Sequence, residues 1–347
     1  MQGRLENELK KDKKIQSILA TLPPQLAGWN DSLEVADKTP DTRLDYLRKI
    51  RAFLETVEKI PRNYDLTKLN SDIIIHFLKG IRVKETVINN QVVTTQTSDS
   101  YKMTYWYCLN SLCKYLIQIG VLYNNPMDNI GKPKNHDLDR INEHRVLLTL
   151  EDFKKILTEI ECDISPLVCN GTVCLNNRDK AIMLMFMTTG MRKTALTEIN
   201  IDDIDMESST LYVIDKGDKP HQYVLNEELK EALTIWLRDR EKILEYTGKV
   251  TNALFISAKG LRISGDAVSD IVRKYTQRAL GKALSPHKLR SGFCSIMYSK
   301  THDVEFVRRA VGHSNVATTQ RYIVTDRDEK KRSAQIMSDL LGEVKSI

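Results

Sequence analysis

Apolar residues return every three or four positions along most of this chain and switch to alternation in two short stretches. From Thr42, TRLDYLRKIRAFLETV places Leu44, Leu47, Ile50, Phe53, Leu54 and Val57 on one helical face, with Arg and Lys opposite. NSDIIIHFLKGI repeats the pattern, with Asn70 or Ser71 suited to cap its start and Gly80 near its end. RVKETVINNQVVTTQT then changes period. Its β-branched residues flank Asn89 and Asn90, which tolerate the positive φ of a tight turn, so a two-stranded insertion is expected over 83–97. Helix resumes in SYKMTYWYCLNSLCKYLIQIGVL and breaks at NNPMDNI, because Pro126 disfavours helical geometry in the residue before it.

GKPKNHDLDRINEHR, residues 131–145, is polar and charged without an apolar period, the composition of a linker between two folded bodies. Beyond it, Thr149 as N-cap and an acidic first turn open a helix in LTLEDFKKIL. ECDISPLVCNGTVCLNN reads as a loop, and 161–177 as an insertion. RDKAIMLMFMTTG is apolar on every side, the mark of a buried helix, and ends at Gly190. TLYVIDKGDKPHQYVL alternates as a hairpin turning at Lys216, Gly217, Asp218 and Lys219, and helical periods follow at 227–246, 264–280, 286–300 and 303–311. The first thirty residues read as a basic helix closed by Pro23 and Pro24, for which packing on the next domain is preferred over an independent DNA-binding arm. The pattern predicts a mainly α protein with a small antiparallel sheet (α+β).

A length of 347 residues exceeds one small core and suggests two domains. Apolar runs such as AIMLMFM fall short of the ~20 residues that cross a bilayer, and MQGRLENELKKDKK leads into no apolar signal segment, so a cytoplasmic protein with no membrane partner is expected. The six cysteines form no CxxC pair, and Cys162, Cys169 and Cys174 have no nearby histidine at a zinc spacing; reduced thiols and no metal are expected. A formal charge of +6 suits a polyanionic partner without demanding one.

Chemistry concentrates in the second half. In SPHKLRSGF, Ser285 is suited to cap a helix and Pro286 to its first position, so His287 and Arg290 emerge together in the opening turns, where helix N-termini attract phosphate. Arg192 follows the buried helix and Gly190; Lys216 and Lys219 sit in the hairpin turn. VGHSNVATTQRYIVTD sets His313 nine positions before Tyr322 with mostly small polar residues between, unlike the surroundings of a core tyrosine. Taken singly, each is a weak signal that reads more readily as an ordinary surface, turn or packing residue.

Taken in order, T-G-M-R, a K-G-x-K hairpin, H-x-x-R, G-H and a tyrosine nine residues later resemble the tyrosine site-specific recombinase (phage integrase) family, of the integrase/Xer kind, over about residues 40–330. The resemblance implies a helical core-binding domain joined to a catalytic domain, and assigns Arg192, Lys216, His287, Arg290, His313 and Tyr322 to the active site. The residue types suit that chemistry. Attack by a phenol on a phosphodiester adds charge that two arginines and histidine donors are fitted to stabilise. A tyrosine of pKa ~10 needs a base, here His287, and the leaving 5′-hydroxyl needs an acid, here Lys216 with Lys219 as the fallback. His313 would bond the phosphate. No metal and no cofactor is called for, and the product would be a 3′-phosphotyrosyl link open to strand exchange.

The expected organisation is an N-terminal extension over 1–33, a core-binding domain over 34–131, a linker over 132–145, a catalytic domain over 146–325 and a C-terminal helix or tail over 326–347. The tail carries an apolar stripe of Ala334, Ile336, Met337, Leu340 and Leu341 that, by the resemblance, would dock in trans. The implied partners are double-stranded DNA and further copies of the chain, a dimer on one site and a tetramer at the synapse, with room for an accessory DNA-bending protein. Integration or excision of a mobile element is preferred as the task, because the chain is longer than a minimal two-domain recombinase. One departure stands out: relatives often carry an acidic residue where this chain has Ala195, with Glu198 one turn later. A type IB-like topoisomerase and a DNA-binding regulator with inactive chemistry are the competing readings.

Overall fold

The protein, seen in a computed structural model, is described here over residues 2–81, 83–88, 91–134, 148–163, 167–215 and 219–312. It divides into two compact units, one spanning 4–145 and the other built from residue 146 onward.

The first unit holds helices α1 (Gln2–Leu19), α2 (Gln25–Val35), α3 (Pro40–Leu54), α4 (Ser71–Gly80) and α5 (Asp99–Gln118), with a hairpin of β1 (Val83–Ile88) and β2 (Gln91–Gln96) between the last two. Its core is formed by Ile15, Leu22, Leu26, Trp29, Leu47, Ile50, Phe53, Ile74, Leu109 and Leu116, among others. The first thirty residues therefore contribute to this core rather than standing apart from it. Two helices lie there where one was expected: Pro24 sits in helical geometry at the N-cap of α2, and Leu26, Trp29 and Leu33 form its buried face. Buried Arg43 on α3 ties the three helices, reaching Glu34 on α2 at 2.8 Å and Asp12 on α1 at 3.5 Å. Asn70, of the two capping candidates, accepts the amide of Ile73.

The second unit is built around α7 (Asn176–Thr189), which packs against α6 (Leu150–Cys162), α9 (Glu227–Thr247) and α11 (Pro286–Thr301). Surrounded on all sides, α7 buries Ala181 to Met187 without interruption, as its unbroken apolar run requires. Thr149 and Asp152 form the capping box at the start of α6. The loop expected over 161–177 contains a two-residue pairing of β3 (Leu167–Val168) with β4 (Val173–Cys174), closed by Cys169, Asn170 and Gly171, all at positive φ. Such a short ladder has too few residues to register as alternation.

A short helix α8 (Lys193–Glu198) leads into a three-stranded antiparallel sheet of β5 (Ile204–Asp205), β6 (Thr210–Asp215) and β7 (Lys219–Val224), in the order β5-β6-β7. The described residues close with α10 (Gly265–Leu280), α11 and α12 (Val304–Val311). Where α6, α7 and α10 meet, the Tyr275 hydroxyl lies 3.1 Å from both Asp163 and Asp179, and Arg178 holds Asp179 at 2.8 Å. No helix among the described residues is long and apolar enough to cross a membrane.

Candidate active site

Three of the six residues expected at the site are among the described residues, and they lie on converging elements. Gly190 ends α7 at φ 62°, so a left-handed residue turns the chain toward Arg192. Its lack of a side chain is also required by packing, since a Cβ there would come within 2.5 Å of Phe293 and 3.0 Å of Val311. Arg192 occupies the N-cap position of α8 with extended backbone. Next to it, the Lys193 stem lies over Gly265 and its ammonium donates to Ser269 at 3.1 Å, tying the first turn of α8 to α10.

His287 and Arg290 emerge from the opening turns of α11. Ser285 holds the N-cap position, but its side chain makes no capping hydrogen bond, so that expectation is corrected; Pro286 fills the first turn as expected. Arg290 is 2% exposed. Its Nη1 donates to the Gly190 carbonyl at 2.6 Å and its Nη2 to the Val311 carbonyl at 2.8 Å. A single guanidinium thus links the turn before Arg192 to the helix end before His313.

His287 keeps an outer side open to solvent. Partial desolvation, then the charges of Arg290, Lys288 and Arg192, hold its pKa below the ordinary 6.5. The three residues therefore share one positive field, and the imidazole is neutral near pH 7, as a proton acceptor needs to be.

Lys216, His313 and Tyr322 lie outside the described residues, as do the linker from 135 on and the tail over 326–347. Their flanks are described. Asp215 pairs with Lys219 in the last register pair of β6 and β7, and Gly312, at φ 67°, ends α12 immediately before His313. Ala195 is buried in the core of the second unit, and Glu198, half-buried, ends α8.

Sequence reading passed over the residues that brace these elements. Arg262 donates to the carbonyls of Thr197 and Ile199 at 3.1 Å and to Asn200 at 2.6 Å, fixing the chain that leaves α8. His221, on β7, has Nε2 3.4 Å from the Ala310 carbonyl at the end of α12. These hydrogen-bond partners lie 62 to 89 residues away in sequence, so no local pattern marks them.

Comparison with known proteins follows the same outline. The sequence pattern of the phage integrase family matches residues 148–329. A tyrosine recombinase XerC of Caldanaerobacter subterraneus subsp. tengcongensis is 32% identical over 273 residues, covering 76% of this chain and 70% of that protein. A tyrosine recombinase XerC of Pseudomonas fluorescens is 30% identical over 221 residues, covering 63% and 67%. Among solved structures, XerH recombinase bound to a palindromic difH substrate is similar in fold, with a TM-score of 0.61 at 20% identity over 86% of this chain and 80% of that one. A lambda integrase dimer bound to a COC′ core site gives 0.57 at 19% identity, covering 88% and 95%.

Proposed function

This chain belongs to the phage integrase family of tyrosine recombinases, enzymes that exchange DNA strands through a tyrosine nucleophile, and we propose that its nucleophile is Tyr322, served by Arg192, Lys216, His287, Arg290 and His313. The observation that carries this reading is the guanidinium of Arg290 bonded to both Gly190 and Val311. It draws together the turn bearing Arg192, the helix bearing His287 and the turn leading to His313.

In the proposed reaction His287 takes the phenolic proton as the Tyr322 oxygen attacks phosphorus. The new bond joins that oxygen to the phosphate, and the bond from phosphorus to the 5′-oxygen breaks. Lys216 gives the leaving oxygen its proton. Arg192, Arg290 and His313 stabilise the added charge on the phosphate, for which guanidinium donors are matched in geometry. A second 5′-hydroxyl reverses the step on the same or another strand, so no external energy source is needed.

Double-stranded DNA is the proposed substrate, bound by repeated copies of the chain as dimers and then tetramers. Neighbours of the same fold are described as a dimer on a core site and a tetramer on a Holliday junction. For the biological task, resolution between two identical sites is favoured over integration of a mobile element. Several relatives of this chain carry the XerC name, and chain length favours integration less once residues 15–33 contribute Ile15, Leu22, Leu26 and Trp29 to a core.

The test uses labelled nicked duplexes tiled from the DNA flanking the gene, from which a cleaved fragment diffuses away. A covalent adduct surviving denaturing electrophoresis is expected with the wild type and none with Tyr322→Phe. A plasmid carrying two direct copies of the site so located should then be resolved into two circles. Sequence-specific retention with no adduct would favour a binding protein without chemistry, and relaxation of any supercoiled plasmid without a site would favour a topoisomerase.

A further inference from the structure

The last four carbonyls of a helix have no partner within it and must find donors elsewhere. In α12 each has one. The Gly312 amide serves Arg308 and Arg309, Arg290 serves Val311, and His221 faces Ala310 at 3.4 Å. Two of these donors are side chains from other elements. One is Arg290 of the proposed site; the other comes from the sheet and has no role in the reaction as derived above.

His221 stands on the inner face of β7, opposite Val213 and in line with buried Tyr223 and Leu225. Its ring meets Tyr223 edge to face at 4.4 Å, which fixes the plane of the imidazole. A carbonyl only accepts, so the contact with Ala310 requires the proton on Nε2. Two register steps beyond the Val213–His221 pair, Asp215 pairs with Lys219, and Lys216 follows Asp215 in sequence between these two partners. The bond therefore joins the hairpin bearing Lys216 to the helix end from which the chain continues through Gly312 to His313. β5 pairs with β6 only at Thr210 and Leu211, so toward the Asp215–Lys219 pair the ladder has two strands, and a contact such as that of His221 helps to set its angle to α12.

We infer that His221 is a positioning residue, which docks the β6–β7 hairpin on the C-terminal end of α12 so that Lys216 reaches the leaving 5′-oxygen. The inference rests on the reading of Lys216 as general acid. His221 does not touch the reacting atoms; its effect passes through the hairpin.

The experiment separates the two ideas by the leaving group. Single-turnover cleavage is measured on the nicked duplex located by the adduct assay, made once with the natural 5′-bridging oxygen and once with sulfur there. A bridging sulfur departs as a thiolate, a far weaker base than the alkoxide of the oxygen substrate, and needs no proton donor. On the oxygen substrate, Lys216→Ala should lose about 10²-fold or more and His221→Leu about 10-fold, while His221→Gln, which keeps an amide donor at similar reach, should stay within about 3-fold. On the sulfur substrate all three should come within about 2-fold of the wild type, because the proton-transfer step no longer limits them. If His221→Leu does not fold, His221→Asn replaces it, an amide one bond shorter than that of Gln.

A His221→Leu defect equally deep on oxygen and sulfur, or wild-type rates on both, would overturn the inference. If Lys216→Ala stays defective on sulfur while His221→Leu recovers, the reading of Lys216 falls instead, and His221 positions a different donor on the same hairpin. Recovery by Lys216→Ala with no recovery by His221→Leu sinks the positioning role and leaves Lys216 standing.

Discussion

Arg290 Nη2 lies 2.8 Å from the carbonyl oxygen of Val311, and this bond joins a helix that opens the proposed site to the helix that leads into its C-terminal part. With Nη1 on Gly190 at 2.6 Å, the same side chain holds three segments in register from a position 2% exposed. Phe293, Cys294, Val307 and Val311 add only a small apolar cluster, separate from the main core, to keep α12 in place.

Replacing Arg290 should therefore cost stability as well as chemistry. Arg290→Ala strands two buried carbonyls, and a loss of about 3 kcal/mol is expected, since hydrogen bonds to charged groups contribute roughly 1.5–3 kcal/mol each and the truncated site relaxes only in part. Urea denaturation measures it. Arg290→Lys, which keeps the charge but cannot fork, should recover only part of the loss.

Gly190 is the second fixed point of the joint. Gly190→Ala forces a side chain into left-handed geometry at φ 62° and against Phe293 and Val311, so destabilisation should exceed the roughly 1–2 kcal/mol of the backbone term alone. A thermal midpoint unchanged from the wild type would show that the joint yields without cost.

Much of this was legible beforehand, and the divide has a physical cause. Amphipathic periods such as that of Pro40–Leu54, the all-apolar run of Asn176–Thr189 and the left-handed glycine at its end are local signals, and the structure has them where the pattern put them. The helix Gln25–Val35 went unread because Pro23 and Pro24 look like a terminator, whereas Pro24 begins the next helix. His287 and Arg290 could be placed together from their spacing. What Arg290 and His221 hold could not, because their carbonyl partners lie 100, 21 and 89 residues away.

The first helix offers a separate check. An independent arm could be trimmed without loss, but Ile15 is fully buried and Arg43 reaches Asp12 and Glu34. Ile15→Ala should cost about 2–5 kcal/mol, the range for such core truncations. Denaturation of a fragment spanning 1–134, set beside the full chain, would assign the loss to the first unit.

The acidity of His287 gives a pH dependence with a definite sign. Desolvation, then Arg290, Lys288 and Arg192, depress its pKa below 6.5, so the folded protein keeps a neutral imidazole to lower pH than the unfolded chain does. Its contribution to stability is complete above pH 6.5 and lost as pH falls below that value toward the folded pKa. As a base it should give single-turnover cleavage an acidic limb whose midpoint lies below pH 6.5. His287→Gln should be slow at every pH and lack that limb.

The most direct test of the account is to map the covalent bond. The wild-type adduct is formed on the nicked duplex, digested with protease and nuclease, and the modified peptide is sequenced by mass spectrometry. The account predicts a 3′-nucleotide attached to Tyr322, no such peptide from Tyr322→Phe, and no dependence on added metal. An adduct at any other residue, or one of undiminished yield in Tyr322→Phe, would contradict it.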